Sequence, residues 1–303
     1  MFDTALTLVC NPDVCNTEPP VLDEALLAEL SRALPGGDVE QTNLAPGIAV
    51  DFLLNANDHA EVEKTARDVV GENPIDVIVQ PTATREKKLL IADMDSTIIE
   101  QECLDELAGY AGLKDRISEI TERAMRGELD FEEALTERVR MLKGLSTDAL
   151  EATFREKITL TPGARTLVQT MAARGAYTAL VSGGFTFFTE KVARTAGFAT
   201  NRANVLEIED ASLTGEVVRP ILGRDAKREA LMEFASAQGI EAADALAVGD
   251  GANDLAMIDA AGLGVAFRAK PAVAAAANVR IDHGDLTALL HLQGIPAAEF
   301  VSD

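Results

Sequence analysis

Hydrophobic positions along this chain follow two patterns, and the change between them divides it. Ala5–Cys10 is an apolar run of strand length. Pro20 opens a helical stretch from Val21 to Leu34, which Pro35-Gly36-Gly37 closes. Val39–Leu44 and Ile48–Leu54 flank the turn residues Ala45-Pro46-Gly47 and predict two strands. Asn57 or Asp58 caps a helix running to Val70 and stopped by Gly71, and Pro74–Val79 is a last β-branched run. The order strand, helix, two strands, helix, strand predicts a small α+β ferredoxin-like module over residues 1–80.

Pro81–Lys88 (PTATREKK) is polar and predicts a linker. From residue 89 onward short apolar strands alternate with helical stretches, the pattern of a doubly wound parallel sheet in an α/β, Rossmann-like core. The predicted strands are Leu89–Ala92, Tyr177–Val181, Val205–Ile208, Ala245–Val248 and Gly264–Phe267. Residues 100–156, between the first two, are almost wholly helical and heavily charged, and far longer than a crossover needs. They predict a helical cap inserted over the C-terminal edge of the sheet. The expected organisation is therefore a module at 1–80, a linker at 81–88 and a larger unit at 89–303.

Composition narrows the choice of partners. The 303 residues carry 27 Lys and Arg against 50 Asp and Glu, a net charge of −23. Residues 1–80 hold 3 basic and 15 acidic side chains, so about half of the excess lies in the small module. A field of that sign repels nucleic acid and anionic membrane surfaces. No apolar run reaches membrane-spanning length, and Asp3 with no basic residue around it does not read as a secretory signal. Cys10, Cys15 and Cys103 are scattered and odd in number, which fits reduced thiols in the cytoplasm. An exposed sheet in the small module leaves room for a homodimer. His59, His283 and His291 are isolated and carry no catalytic expectation.

The chemistry gathers at strand ends. Leu89–Ala92 runs into Asp93-Met94-Asp95-Ser96-Thr97, two carboxylates in the crevice where open α/β sheets bind ligands. Like charges buried there call for a cation or a shared proton. Tyr177–Val181 ends in Ser182-Gly183-Gly184, a hydroxyl and two small residues whose amides can approach a phosphate closely. Ala245–Val248 ends in Gly249-Asp250-Gly251-Ala252-Asn253-Asp254, adding two carboxylates, and Lys227 stands at the start of a predicted helix. Brought together, these groups make a hard-cation site facing a phosphate.

This set of motifs, over about residues 85–290, resembles the haloacid dehalogenase (HAD-like) superfamily of phosphatases. The resemblance implies that Asp93 is the nucleophile, forming an aspartyl-phosphate, and that Asp95 is the general acid and then the base. It implies Mg²⁺ held by Asp93, the main-chain carbonyl of Asp95 and Asp250, with Asp254 beside it. Ser182, Gly183 and Lys227 would hold the phosphoryl oxygens, and Asn253 would orient the phosphate or the lysine. Ion-pumping relatives carry Thr at the position of Asp95, so a hydrolase is expected rather than a pump.

The cap is similar to that of the phosphoserine phosphatase family. By that likeness Glu102 contacts a substrate ammonium and Arg138 pairs with a substrate carboxylate, the acid and the planar fork that an α-amino acid requires. Met125 and Phe131 would form an apolar lid. The implied reaction is hydrolysis of a small phosphomonoester, O-phospho-L-serine, as the last step of serine synthesis. Transfer to another alcohol, a different phosphomonoester, and amino-acid sensing by residues 1–80 stand as alternatives.

Overall fold

A computed structural model of the chain describes residues 2–11 and 21–301. Its first part contains β1 (Thr4–Cys10), α1 (Glu24–Ala33), β2 (Val39–Ala45), β3 (Ala49–Leu54), α2 (His59–Val70) and β4 (Ile75–Pro81). Asp23 caps α1 by accepting from Leu26 N, so that helix starts inside the predicted Val21–Leu34; Pro20 lies outside the described residues. Asp58 caps α2, as expected, accepting from the amides of Ala60 and Glu61. The strands form an antiparallel sheet in the order β2-β3-β1-β4.

Strand periodicity sends alternate side chains to the two faces of this sheet. Leu6, Leu8, Phe52 and Leu54 pack with Leu30 of α1 and with Val62 and Ala66 of α2. Val9, Ala49 and Ile78 instead join the main core, with Leu289 and Leu292 near the C-terminus. The same contact carries buried polar groups. Asp51 receives a bidentate pair from Arg85, at 2.7 and 3.1 Å, and the Thr7 hydroxyl at 2.7 Å. Arg85 also donates to the carbonyls of His291 and Leu292. Asp76 accepts from the amides of Asp282, His283 and Gly284. Within the stretch read as a linker, Lys87 is buried and bonded to Gln293 and Ala243.

The larger part begins with β5 (Leu89–Ala92), followed by four helices: α3 (Cys103–Gly109), α4 (Lys114–Met125), α5 (Phe131–Met141) and α6 (Thr147–Lys157). The chain returns through α7 (Ala164–Ala173) to β6 (Tyr177–Phe185), α8 (Thr186–Ala196) and β7 (Thr200–Asn204). A hairpin of β8 (Leu206–Glu209) and β9 (Ser212–Val217) precedes α9 (Arg224–Gln238). Then come β10 (Ala245–Gly249), α10 (Leu255–Ala260), β11 (Leu263–Phe267), α11 (Pro271–Ala276), β12 (Val279–Ile281) and α12 (Ala288–His291). Six strands make one parallel sheet in the order β12-β11-β10-β5-β6-β7. From β5 the chain moves to one side through β6 and β7, then crosses to β10 on the other. The strand order therefore reverses between β5 and β10, where a ligand crevice opens. The structure thus has the expected α/β architecture, with a separate antiparallel sheet ahead of it.

Two expectations are corrected. The parallel sheet does not use Val205–Ile208; its edge strand is β7, with the polar sequence TNRAN. An edge strand is covered on fewer sides and tolerates polar residues. The apolar residues just after it serve the hairpin instead, where Leu206, Leu213 and Val217 join Leu135, Val139 and Leu142 of the cap in the core. Main-chain bonds complete this contact: Gly144 N to Leu213 O, Leu213 N to Leu145 O, and Thr147 N to Ala211 O, all 2.8–2.9 Å. The second correction concerns the thiols. Cys10 is disulfide-bonded rather than reduced, an odd cysteine count still permitting one bridge, while Cys103 is free and buried. No helix among the described residues is long and apolar enough to cross a membrane.

Candidate active site

At the end of β5, Asp93 N donates to Val248 O of the neighbouring β10, which fixes the first carboxylate at the strand-order reversal. The chain then turns tightly through Met94–Ile98, with Ser96 in the left-handed region at φ 53°. Ser96 Oγ donates to Glu102 Oε1 at 2.6 Å, joining this turn to the start of the cap. Asp95 lies between the two layers: Cys103 N donates to its Oδ1 at 2.8 Å, and Ser182 Oγ approaches its Oδ2 at 3.4 Å.

Glycines allow the close approaches. A Cβ on Gly184 would stand 3.0 Å from both Asp95 Oδ2 and Ser182 Oγ. One on Gly183 would stand 2.7 Å from the Phe131 ring, so the cap's aromatic side chain rests directly on that glycine.

From β10, Gly249 leads to Asp250, Asn253 and Asp254. Asp254 Oδ2 accepts from Gly251 N at 3.0 Å, and its Oδ1 lies 2.6 Å from Lys227 Nζ. The same ammonium is 2.7 Å from Asp93 Oδ1. Burial opposes the charge on Lys227, but Asp254 and Asp93 outweigh it and hold the ammonium above its usual range.

Asp93, Asp250 and Asp254 each offer a carboxylate oxygen within 4.8 Å of the others, and all three are buried. Lys227 pairs with two of these carboxylates, Asp93 and Asp254, and leaves Asp250 without an ion pair. Burial first, then the charge of Asp254, pushes Asp93 up to about 7. Burial and the charges of Glu102, Asp254 and Asp93 push Asp250 well above its usual range, and Asp250 Oδ1 has no hydrogen-bond partner. An acidic, oxygen-only cluster with an orphaned buried oxygen fits a hard divalent cation. The Asp95 carboxylate is not part of this cluster, being engaged by Cys103 and Ser182. Of the four metal-ligand expectations, that leaves Asp95 its main-chain carbonyl. Burial raises Asp95 to about 6, placing its proton within reach of neutral pH.

The cap closes the other side. A cavity of about 50 Å³ is lined by Asp93, Asp95, Glu102, Arg138, Ser182 and Asn253. Glu102 is pushed up to about 7, by burial first and then by the charge of Asp95. Arg138 is buried, which lowers its affinity for the proton despite nearby acids. Its Nε donates to Ala134 O and its Nη1 to Thr121 Oγ1, and among the described residues no carboxylate lies within 4.0 Å of it. Asn253 Oδ1 is buried without a partner.

The structure thus brings Asp93, Asp95, Glu102, Phe131, Arg138, Ser182, Gly183, Lys227, Asn253, Asp250 and Asp254 to one place. Met125 ends α4, and its side chain lies outside the description. Sequence reasoning missed the Cys103 amide, Thr121 and Asp105, which act through hydrogen bonds that no local pattern announces.

The chain matches the haloacid dehalogenase-like hydrolase family over residues 90–259. It is 43% identical over 254 residues to a phosphoserine phosphatase of Archaeoglobus fulgidus, covering 82% of this chain and 74% of that protein. A crystal structure of a HAD family hydrolase from Salmonella enterica serovar Typhi aligns with TM-score 0.81 at 29% identity, over 95% of this chain and 97% of the other. A phospho-aspartyl intermediate analogue of a phosphoserine phosphatase aligns with TM-score 0.65 at 40% identity, over 68% of this chain and 98% of the other.

Proposed function

This chain belongs to the haloacid dehalogenase-like hydrolase family, and from that premise we propose that it is a phosphoserine phosphatase dependent on Mg²⁺. The reaction is hydrolysis of O-phospho-L-serine to L-serine and phosphate. The observation that carries the reading is a single cavity with a carboxylate nucleophile at one end and a buried, carboxylate-free arginine beside a half-buried glutamate at the other. A phosphorylated amino acid has the complementary groups: phosphate, carboxylate and ammonium.

Asp93 attacks phosphorus in line, and the bond to the serine oxygen breaks as Asp95 delivers its proton to that oxygen. Asp95, now a carboxylate, takes a proton from water, which attacks the aspartyl-phosphate and releases phosphate. Lys227, Ser182 and the Gly183 amide bind the phosphoryl oxygens, while the Gly184 amide donates to Ser182 Oγ and fixes that hydroxyl. Asn253 orients the phosphate. Arg138 and Glu102 hold the carboxylate and ammonium, while Phe131 excludes water. Asp93, Asp250 and the main-chain carbonyl of Asp95 would hold the cation, with Asp254 beside them. When bound, Mg²⁺ supplies positive charge to the phosphoryl oxygens. Residues 1–80 are read as a ferredoxin-like, ACT-like domain, joined through 81–88 to a catalytic unit at 89–303 with its cap at about 100–156.

Phosphate release from a panel of phosphomonoesters, with and without Mg²⁺, tests the assignment. Phosphoserine should be preferred, and Asp93→Asn should lower turnover by about a thousandfold or more. Wild-type turnover in that variant, or a preference for esters lacking the amino and carboxylate groups, would refute it.

A further inference from the structure

Arg138 sits in an unusual electrostatic position for a buried guanidinium, because its counter-charge does not touch it. Thr121 Oγ1 accepts from Arg138 Nη1 at 2.8 Å and lies 2.6 Å from Asp105 Oδ1. All three side chains are buried, on three different cap helices: α5, α4 and α3. A threonine hydroxyl has one proton to donate. Its acceptors are the Asp105 carboxylate at 2.6 Å and Ile117 O at 3.1 Å, and the shorter, charged bond takes it. The oxygen lone pairs then face the guanidinium.

We propose that Asp105 and Thr121 form a positioning relay that holds Arg138 ready for a carboxylate without occupying it. The inference rests on the reading of Arg138 as the carboxylate clamp. A carboxylate in direct contact would pair with the guanidinium fork in the bidentate manner of Asp51 with Arg85, and would compete with the substrate. Interposing a hydroxyl supplies negative charge at one remove, fixes the Nη1 edge, and leaves the rest of the fork for the ligand. The Nε bond to Ala134 O fixes the other side of the group. Because α3, α4 and α5 each contribute one member, the relay also sets how the cap helices stand around the clamp.

Thr121 touches the carboxylate end through Arg138, whereas the charge of Asp105 also raises the Glu102 carboxyl at the ammonium end, so the relay's signature, loss of discrimination, is read first from Thr121. Steady-state kinetics would compare O-phospho-L-serine with O-phosphoethanolamine, which lacks the carboxylate, for wild type, Thr121→Val, Thr121→Ser, Asp105→Asn and Arg138→Lys. Thr121→Val is expected to lower the ratio of kcat/KM between the two substrates about tenfold, mainly through KM for phosphoserine. Thr121→Ser, which keeps the hydroxyl, should restore the ratio to within about twofold, and Asp105→Asn should fall between. A Thr121→Val variant that weakens both substrates equally, or neither, would overturn the relay while a collapsed ratio in Arg138→Lys leaves the clamp standing. An unchanged ratio in Arg138→Lys would refute the clamp, and the relay with it. If Thr121→Val does not fold, the Ser and Asn variants decide the question by the same ratio.

Discussion

Two groups of buried charge in this molecule use similar residues in opposite ways. Where the antiparallel sheet meets the larger unit, each carboxylate is fully coordinated. Asp51 has its arginine fork and a hydroxyl, and Asp76 has three amides. At the ends of β5 and β10, Asp93 and Asp254 share Lys227 while the third carboxylate, Asp250, has no ion-pair partner, and Asp250 Oδ1 and Asn253 Oδ1 make no hydrogen bond. A buried polar group with all its bonds made holds parts together. One left without them marks where a ligand supplies what is missing.

The sharpest test of that contrast is to remove a charge from each group. Asp51→Ala strands the buried Arg85 guanidinium and is expected to cost about 3–5 kcal/mol, measured by chemical denaturation. Its kcat/KM should stay within about threefold of wild type, because Asp51 lines no part of the cavity. A large loss of activity at unchanged stability would break the comparison.

His291, whose carbonyl accepts from Arg85, extends the test to pH. Burial lowers its side chain from the ordinary value of 6.5 to about 4. The neutral ring is favoured in the folded state, so its contribution is fully present above about pH 6.5 and declines as the pH falls towards 4. Over that window the loss approaches about 3 kcal/mol. Denaturation midpoints for wild type and His291→Phe should therefore converge or cross as the pH falls from 7 to 4.5. Parallel curves would show that the ring plays no part.

The smallest effect expected has the opposite sign. Asp250→Asn removes a buried carboxyl crowded by Glu102, Asp254 and Asp93 and should raise stability in chelator by about 1–2 kcal/mol, while abolishing any stabilisation by Mg²⁺. Thermal melts with and without the cation read both changes, and a variant less stable than wild type in chelator would count against the cation site.

The candidate catalytic group was legible in the sequence because its leading members follow on apolar strands: Asp93 on Leu89–Ala92, Ser182 on the core of β6, Asp250 after Gly249. Local order carried the information. The other group was not legible, since Asp51, Asp76 and Arg85 look like any surface charge until the fold brings them to partners as far as 208 residues away. For the same reason PTATREKK read only as a polar linker, although Arg85 and Lys87 are bonded at its centre. The polar strand β7 was passed over for the more apolar residues that follow it. Strand periodicity reports burial, and an edge strand is only partly buried. Thr121 and Asp105, an ordinary pair of polar helix residues in sequence, acquire meaning only when three helices assemble around Arg138.

The hairpin of β8 and β9 is a structural bridge between the cap and the helix that carries Lys227. Its main-chain bonds to residues 144–147 clamp it to the turn between α5 and α6, and its outgoing strand leads through residues 218–223 into α9, where Lys227 stands. The chain path therefore links the Glu102–Arg138 end of the cavity to the helix that carries Lys227. The same short segment thus meets the cap at one end and α9 at the other, and the hairpin joins them through the main chain.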